Sequence, residues 1–188
     1  DVTHARLVPG TLELLTALDA RGVALAVITN GTNLKTATMI LKRLGLSKFF
    51  GSTTLASAAV GFRKPDARAY LSVLDSWSGH GTKLPIQRGE VVMIGAAIHA
   101  GMRGARRMGF RSIWLNRTSM AIPTQPWALP DATIQSLREV IDTIETLEKQ
   151  KMPVFRPVKV GVLFNNKKKA KWGARGVFEF PHRDDVRF

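Results

Sequence analysis

The chain of 188 residues contains no cysteine, which excludes disulfide bonds, thiolate metal sites and cysteine nucleophiles. No apolar run approaches the roughly 18 residues that a transmembrane helix needs. The first residue is Asp1 and no secretory signal follows it, so we expect the chain to be processed or to be part of a longer protein. Hydrophobic residues make up 45% of the chain, which favours a folded domain with an appendage over wholesale disorder.

Acidic residues are also scarce. The 14 Asp and Glu are outnumbered by 28 Lys and Arg, so the formal net charge is +14 and the pI is about 11.0. Such an excess attracts polyanions, nucleic acid first and anionic membranes second. A solvated basic surface without a dedicated partner is the alternative interpretation.

Apolar and amphipathic segments alternate through the first 150 residues. Continuous apolar runs at 23–28 and 91–94 predict strands that are buried on both faces, and 111–115 predicts a further strand. Helical segments, among them 100–108 and 134–147, are predicted between and after these strands. The alternation predicts an α/β fold in residues 1–150, with a doubly wound, Rossmann-like parallel sheet.

The last part of the chain has a different composition. Residues 151–188 hold ten Lys and Arg against three acids, together with glycine, proline and aromatic residues. This mixture is a poor fit to a helix, and it predicts an extended basic tail that lies on a partner.

Three motifs occur in order along the predicted domain. Thr29 and Asn30 follow an apolar run, Lys64 lies in the segment Gly-Phe-Arg-Lys-Pro-Asp at 61–66, and a strand leads into a Gly- and Ala-rich segment at 95–105. Together they resemble the haloacid dehalogenase (HAD) superfamily of phosphohydrolases over residues 7–147. The resemblance implies a HAD-like core in which the Thr29 hydroxyl and the Asn30 backbone N–H contact phosphoryl oxygens and Lys64 neutralises the phosphoryl group.

The acids that this family uses are missing. Its nucleophile belongs to an Asp-x-Asp motif, which does not occur in the sequence, and its metal-binding acids are replaced by Ala96 and Gly101. Neither residue supplies a side-chain oxygen to Mg²⁺. We therefore predict a degenerate, catalytically inactive member with no catalytic residue, metal or cofactor, in which Thr29, Asn30 and Lys64 are vestigial. The alternative is a Mg²⁺-dependent phosphohydrolase of this family with its nucleophile upstream of this chain.

Basic residues cluster in two places. Arg103 and Arg107 share one face of a predicted helix, and a lysine run in the tail is interleaved with Trp172, which suits phosphate contact with base stacking. The predicted RNA-binding residues are Arg103, Arg106, Arg107, Arg111, Arg117, Lys167, Lys168, Lys169, Lys171, Trp172 and Arg175.

The charge and the missing acids together predict a structural subunit of a large ribonucleoprotein. An organellar, mitochondrial ribosome is the expected host, with rRNA and neighbouring proteins as partners, no membrane and no small-molecule substrate. A cytoplasmic or nuclear location is the alternative to the mitochondrial one. A protein-binding adaptor that does not contact RNA is a further alternative.

A HAD-like sheet without its first strand would lack its central member and leave strand edges unpaired. Upstream chain, another protein, or the apolar stretch at 158–164 could fill that position.

Overall fold

The computed structural model describes residues 4–30, 33–50, 53–78 and 86–150. The predicted basic tail and the lysine run within it lie outside the described residues. In the described part of the chain, no helix is both long and apolar enough to cross a membrane.

Helices alternate with short strands, which confirms the predicted parallel α/β fold. Beyond the α-helices and strands, 3-10 turns occupy Arg88–Glu90, Pro126–Ala128 and Leu137–Glu139, and a π-helix occupies Ile98–Met102. The strands are β1 (Val27–Thr29), β2 (Thr54–Ala56), β3 (Val92–Gly95), β4 (Arg111–Leu115) and β5 (Ala132–Ile134). The α-helices are α1 (Thr11–Ala20), α2 (Leu34–Arg43), α3 (Ser47–Phe50), α4 (Ser57–Val60), α5 (Ala67–Ser78), α6 (Arg103–Met108) and α7 (Val140–Lys149).

The strands form two parallel sheets. In one, β1 pairs with β2, and Ile28 lies opposite Leu55. In the other, β4 lies between β3 and β5, with Ile94 opposite Ile113 and Leu115 opposite Ile134. Parallel neighbours require crossover connections. Helices α2 and α3 connect β1 to β2, and α6 connects β3 to β4, whereas the connection from β4 to β5 contains only the 3-10 turn Pro126–Ala128.

The core is densest around β4, whose five residues are all buried. Ile113 packs with α1, α7 and β5 on one side, and α5 packs with α6 and Phe110 in a second apolar cluster. A third cluster joins α1 to α2 and α3. A strand with helices against both faces is the arrangement that a continuous apolar run predicts.

The strand predicted at 23–28 is wrong in extent, because β1 covers Val27–Thr29. The Leu25 carbonyl accepts hydrogen bonds from the Thr53 hydroxyl at 2.6 Å and from the Trp77 indole at 3.4 Å. In a longer strand the Leu25 carbonyl would accept from the backbone of a neighbouring strand. Here side chains satisfy it instead.

The helix predicted at 100–108 also differs, because it begins as the π-helix Ile98–Met102 and becomes α-helical at Arg103. The buried Tyr70 hydroxyl donates to the Ala100 carbonyl at 2.6 Å and lies 3.2 Å from the Gly101 carbonyl. A π-helical turn leaves carbonyls outside the α-helical pattern, and Tyr70 compensates for this.

The helix predicted at 134–147 begins later, since Ile134 ends β5 and α7 starts at Val140. Ser136 and Glu139 form a capping box between them. A capping box marks the start of a helical segment, and this one lies two residues inside the predicted helix 134–147, so the helical segment starts later than predicted.

Tyr70 also explains why position 104 is glycine. A Cβ atom on Gly104 would overlap the hydroxyl and ring of Tyr70. We expect Gly104→Ala to lower the free energy of unfolding by about 3 kcal/mol, because it displaces a buried ring and its hydrogen bonds. Urea denaturation measures this.

Gly101→Ala is the matched control, because its Cβ would meet only Met93 Cε, at 3.7 Å. This variant should be unchanged or gain up to about 1 kcal/mol, since alanine favours helix over glycine. Equal effects of the two substitutions would contradict the role assigned to Tyr70.

Candidate functional site: a lysine held at the end of a strand

Asn30, which follows β1, is joined to Lys64 by a reciprocal pair of hydrogen bonds. The Lys64 backbone N–H donates to Asn30 Oδ1 at 2.8 Å, and Asn30 Nδ2 donates to the Lys64 carbonyl at 2.8 Å. This amide clamp, formed by Asn30 and the Lys64 backbone, spans 34 residues of sequence. It brings two of the predicted phosphate-binding residues together, with Thr29 next to them at the end of β1.

The Lys64 side chain folds back across β1. Its ammonium group donates to the Ile28 carbonyl at 2.8 Å, and it forms no ion pair with a described carboxylate. Burial lowers the pKa of Lys64 from the ordinary value of 10.5. A partly desolvated cation without a carboxylate partner is an attractive site for an anion.

Contacts among Phe62, Asp66 and Arg68 stabilise the loop that carries Lys64. Asp66 accepts two hydrogen bonds from the Arg68 guanidinium, at 2.9 and 2.6 Å, and these bonds lower the pKa of the Asp66 carboxyl group. Arg68 in turn lies over the Phe62 ring at 3.8 Å. Asp66 is thus engaged with Arg68 and positions the start of α5 rather than pairing with Lys64.

The segment after β3 does not fit a divalent cation. Ala96 is exposed and Gly101 is buried, and neither offers a side-chain oxygen. The Ala96 carbonyl accepts from the Trp114 indole at 3.1 Å, while Tyr70 occupies the Gly101 carbonyl. Among the described residues there is no group of three or more His, Cys, Asp or Glu that could hold a metal ion. Mg²⁺ prefers carboxylate and water oxygens in octahedral geometry, which these residues do not supply.

The arginines predicted to contact RNA do not form one exposed surface. Arg111 is buried at 9% exposure, and its guanidinium donates to the Gln150 carbonyl at 2.8 Å. Arg103 lies over the Trp127 ring at 4.8 Å, and Trp127 also contacts the exposed His99. Arg111 starts the central strand β4, and this position buries it among helices and neighbouring strands. The remaining predicted members are placed as follows: Arg106 half-buried on α6, Arg107 exposed on α6, Arg117 exposed after β4, and Lys167, Lys168, Lys169, Lys171, Trp172 and Arg175 outside the described residues.

The fold and the site together define an anion-binding α/β protein, in which a partly desolvated lysine ammonium lies at the carboxyl end of β1. The family model of haloacid dehalogenase-like hydrolases matches residues 2–109. The chain therefore belongs to the haloacid dehalogenase-like hydrolase family, as the sequence motifs predicted.

Curated relatives carry related activities in their names. A phosphoserine phosphatase of Thermus thermophilus is 33% identical over 135 residues, which cover 71% of this chain and 49% of the relative. A phosphoglycolate phosphatase of Agrobacterium fabrum is 37% identical over 96 residues, covering 51% of this chain and 37% of the relative. The chain thus spans half or less of the length of these relatives.

Solved structures agree on the fold. The 2-haloacid dehalogenase of Pseudomonas syringae pv. tomato superposes with a TM-score of 0.63 at 26% identity, covering 76% of this chain and 55% of that one.

These comparisons correct the prediction that the chain is not an enzyme, because the relatives at 33% and 37% identity are named phosphatases. That prediction depended on Ala96, on Gly101 and on the absence of an Asp-x-Asp motif. These three features concern the metal ligands and the nucleophile and leave the phosphate-binding residues aside. The prediction of RNA and ribosomal partners without a small-molecule substrate is also wrong, since both relatives are named for small phosphorylated molecules. A net charge attracts polyanions in general and does not identify one. The mitochondrial location stays a prediction.

Sequence reasoning assigned Asn30 a backbone contact and missed its side-chain role. An asparagine at the end of a strand is a common turn former, so residue type by itself does not indicate a partner 34 residues away. Tyr70 was missed for a similar reason, since an aromatic residue in an amphipathic helix predicts core packing.

The burial of Lys64 predicts a stability cost at neutral pH. Lys64→Met should raise the free energy of unfolding by about 1 kcal/mol at pH 7, because it removes a desolvated charge and keeps the length of the side chain. Exposed Lys42 on α2 provides the control, and Lys42→Met should change stability little. Chemical denaturation of both variants measures the difference.

The pH dependence has a definite sign. The unfolded chain keeps the Lys64 proton up to about 10.5, whereas the folded protein releases it at lower pH, so the stability of the wild type rises with pH between these two values. The advantage of Lys64→Met should therefore shrink across that interval. An advantage that stays constant with pH would contradict the proposed desolvation.

Proposed function

We propose that this chain provides the phosphate-binding part of a phosphohydrolase that acts on small phosphate monoesters. The observation that carries the proposal is the Lys64 ammonium, held 2.8 Å from the Ile28 carbonyl without a described carboxylate partner. A phosphate monoester dianion would supply the missing negative charge. The names of the relatives, a phosphoserine phosphatase and a phosphoglycolate phosphatase, support a small substrate.

Lys64 and Thr29 would have different roles at the phosphoryl group. The Lys64 ammonium would neutralise charge that builds on phosphoryl oxygens during cleavage of the ester bond, and the Thr29 hydroxyl would donate a hydrogen bond to one of them. Asn30 holds the Lys64 backbone through the amide clamp, so it is a positioning residue. Preorganised donors of this kind lose little free energy to reorientation when the substrate reacts.

The attacking nucleophile is not assigned to a described residue. Asp66, the carboxylate closest to Lys64 in sequence, is engaged by Arg68 at 2.6 Å. The contribution proposed for these residues is therefore binding, orientation and charge neutralisation of the phosphoryl group. The net charge of +14 adds long-range attraction for an anionic substrate.

Calorimetric titration of the full chain with a panel of small phosphate monoesters tests the proposal. We expect saturable binding, and a rise of about tenfold in Kd for Lys64→Met, because a charge-assisted hydrogen bond to the phosphoryl group is removed. Lys42→Met should keep the wild-type affinity. Absence of saturable binding for the whole panel, or equal affinities for Lys64→Met and wild type, would reject the proposal.

The pH profile of binding gives a second readout. Because Lys64 acts as a cation and burial lowers its pKa, the affinity for a phosphate monoester should fall on the alkaline side at a pH below 10.5. Asn30→Ala should weaken binding and shift this alkaline limb, since it frees the Lys64 backbone. A limb that keeps its position in Asn30→Ala would argue against the positioning role.

A further inference from the structure

The stretch of sequence between Asp19 and Asp66 contains no acidic residue. It holds seven Lys and Arg, and two of these, Arg63 and Lys64, are consecutive. The next acid along the chain, Asp66, directs its carboxyl group to Arg68, at 2.9 and 2.6 Å. In the part of the chain that the structure describes, neither Arg63 nor Lys64 forms an ion pair with a carboxylate. Two adjacent cations therefore lack a described negative charge to balance them.

Both of these side chains reach the carboxyl end of β1. The Lys64 ammonium donates to the Ile28 carbonyl at 2.8 Å, and the Arg63 guanidinium donates to the Asn30 carbonyl at 3.4 Å. The two acceptors are two residues apart, and two residues of extended chain span at most about 7 Å. The tertiary structure thus places both cationic groups beside one short stretch of backbone, within reach of a single small molecule.

The two cations differ in how firmly they are held. Lys64 is half-buried, whereas Arg63 is exposed. The Arg63 hydrogen bond of 3.4 Å is longer than the usual N–H···O distance of about 2.7–3.2 Å, so the guanidinium is held weakly. An anion would displace this contact readily, because a charge-assisted hydrogen bond is shorter and stronger than a bond to a neutral carbonyl. Arg68 is different, since it is fixed by Asp66 and lies over the Phe62 ring.

We propose that Arg63 is a specificity-determining residue, which binds a carboxylate on the same phosphate monoester whose phosphoryl group contacts Lys64. The inference rests on the proposed phosphate site at Lys64, and it adds a class of substrate: small phosphate monoesters that also carry a carboxylate. The difference in burial assigns the two charges. The half-buried Lys64 meets the phosphoryl group, and the exposed Arg63 meets the carboxylate on the solvent side.

A guanidinium group suits this task. It is planar, and its parallel N–H donors match the two oxygens of a carboxylate. A ligand with two negative groups also reduces the repulsion between the neighbouring Arg63 and Lys64 cations. An ester with a neutral group in place of the carboxylate would leave Arg63 with only the Asn30 carbonyl. The geometry therefore predicts discrimination between ligands by charge rather than by size.

Matched pairs of ligands test the proposal on the full chain. The phosphate esters of glycolate and of 3-hydroxypropanoate are each compared with the corresponding carboxamide, which keeps the shape and lacks the carboxylate charge. Calorimetric titration in salt of about 0.15 M screens long-range attraction. We expect at least one of the two acids to bind with a Kd about tenfold lower than that of its carboxamide, because a charge-assisted hydrogen bond is gained.

Four variants assign this preference to a residue. In Arg63→Gln the preference for the acid over the carboxamide should disappear, and Arg63→Lys should keep part of it, since the charge remains and the planar fork is lost. Lys64→Met should weaken the binding of acid and carboxamide by the same factor and keep their ratio. Exposed Arg43 on α2 provides the control for net charge, and Arg43→Gln should keep the wild-type preference.

The possible results separate this proposal from the phosphate site itself. Equal affinities for acids and carboxamides, or a preference that persists in Arg63→Gln, would overturn the role of Arg63 and leave the phosphate site at Lys64 standing. A preference lost equally in Arg43→Gln would also overturn it, because total charge would then be the cause. Absence of saturable binding for acids and carboxamides alike would reject both proposals.

Discussion

The organisation of the site depends on the amide clamp between Asn30 and the Lys64 backbone. Two hydrogen bonds of 2.8 Å fasten the loop at 61–66 to the end of β1, and the Lys64 ammonium then reaches the Ile28 carbonyl. Without the clamp, a long lysine side chain on a loop would lose its fixed position, because its rotamer entropy favours solvent. The clamp thus converts a surface cation into a partly desolvated one, and desolvation is what lowers the pKa of Lys64 and makes an anionic ligand favourable.

Hydrogen bonds from neighbouring side chains hold the segment after β3 in place. The Tyr70 hydroxyl donates to the Ala100 carbonyl and the Trp114 indole donates to the Ala96 carbonyl, so this segment is tied to the helix and strand packed beside it. Gly104 leaves room for the Tyr70 ring, and the π-helix leaves carbonyls available to accept from the Tyr70 hydroxyl. The segment that lacks the acids therefore serves local packing, and family membership is established independently of it.

The divided sheet links the fold to the site. A cavity of about 930 Å³ is lined by residues of β1 and β3, and Lys64 is among its lining residues. The carboxyl end of β1 therefore contributes both to the apolar wall of this cavity and to the contact that holds the Lys64 ammonium.

Sequence by itself determined the class of fold, the family and the position of β4, and it predicted Thr29, Asn30 and Lys64 as phosphate-binding residues. Apolar runs and helical periodicity are local patterns, so they can be recognised in the sequence without knowledge of tertiary contacts. Tertiary structure decided the rest: the short β1, the π-helical start at Ile98, the buried Arg111 and the clamp between Asn30 and Lys64. Each of these depends on partners distant in sequence, and the total charge carries no information on which side chains are buried or what they bind.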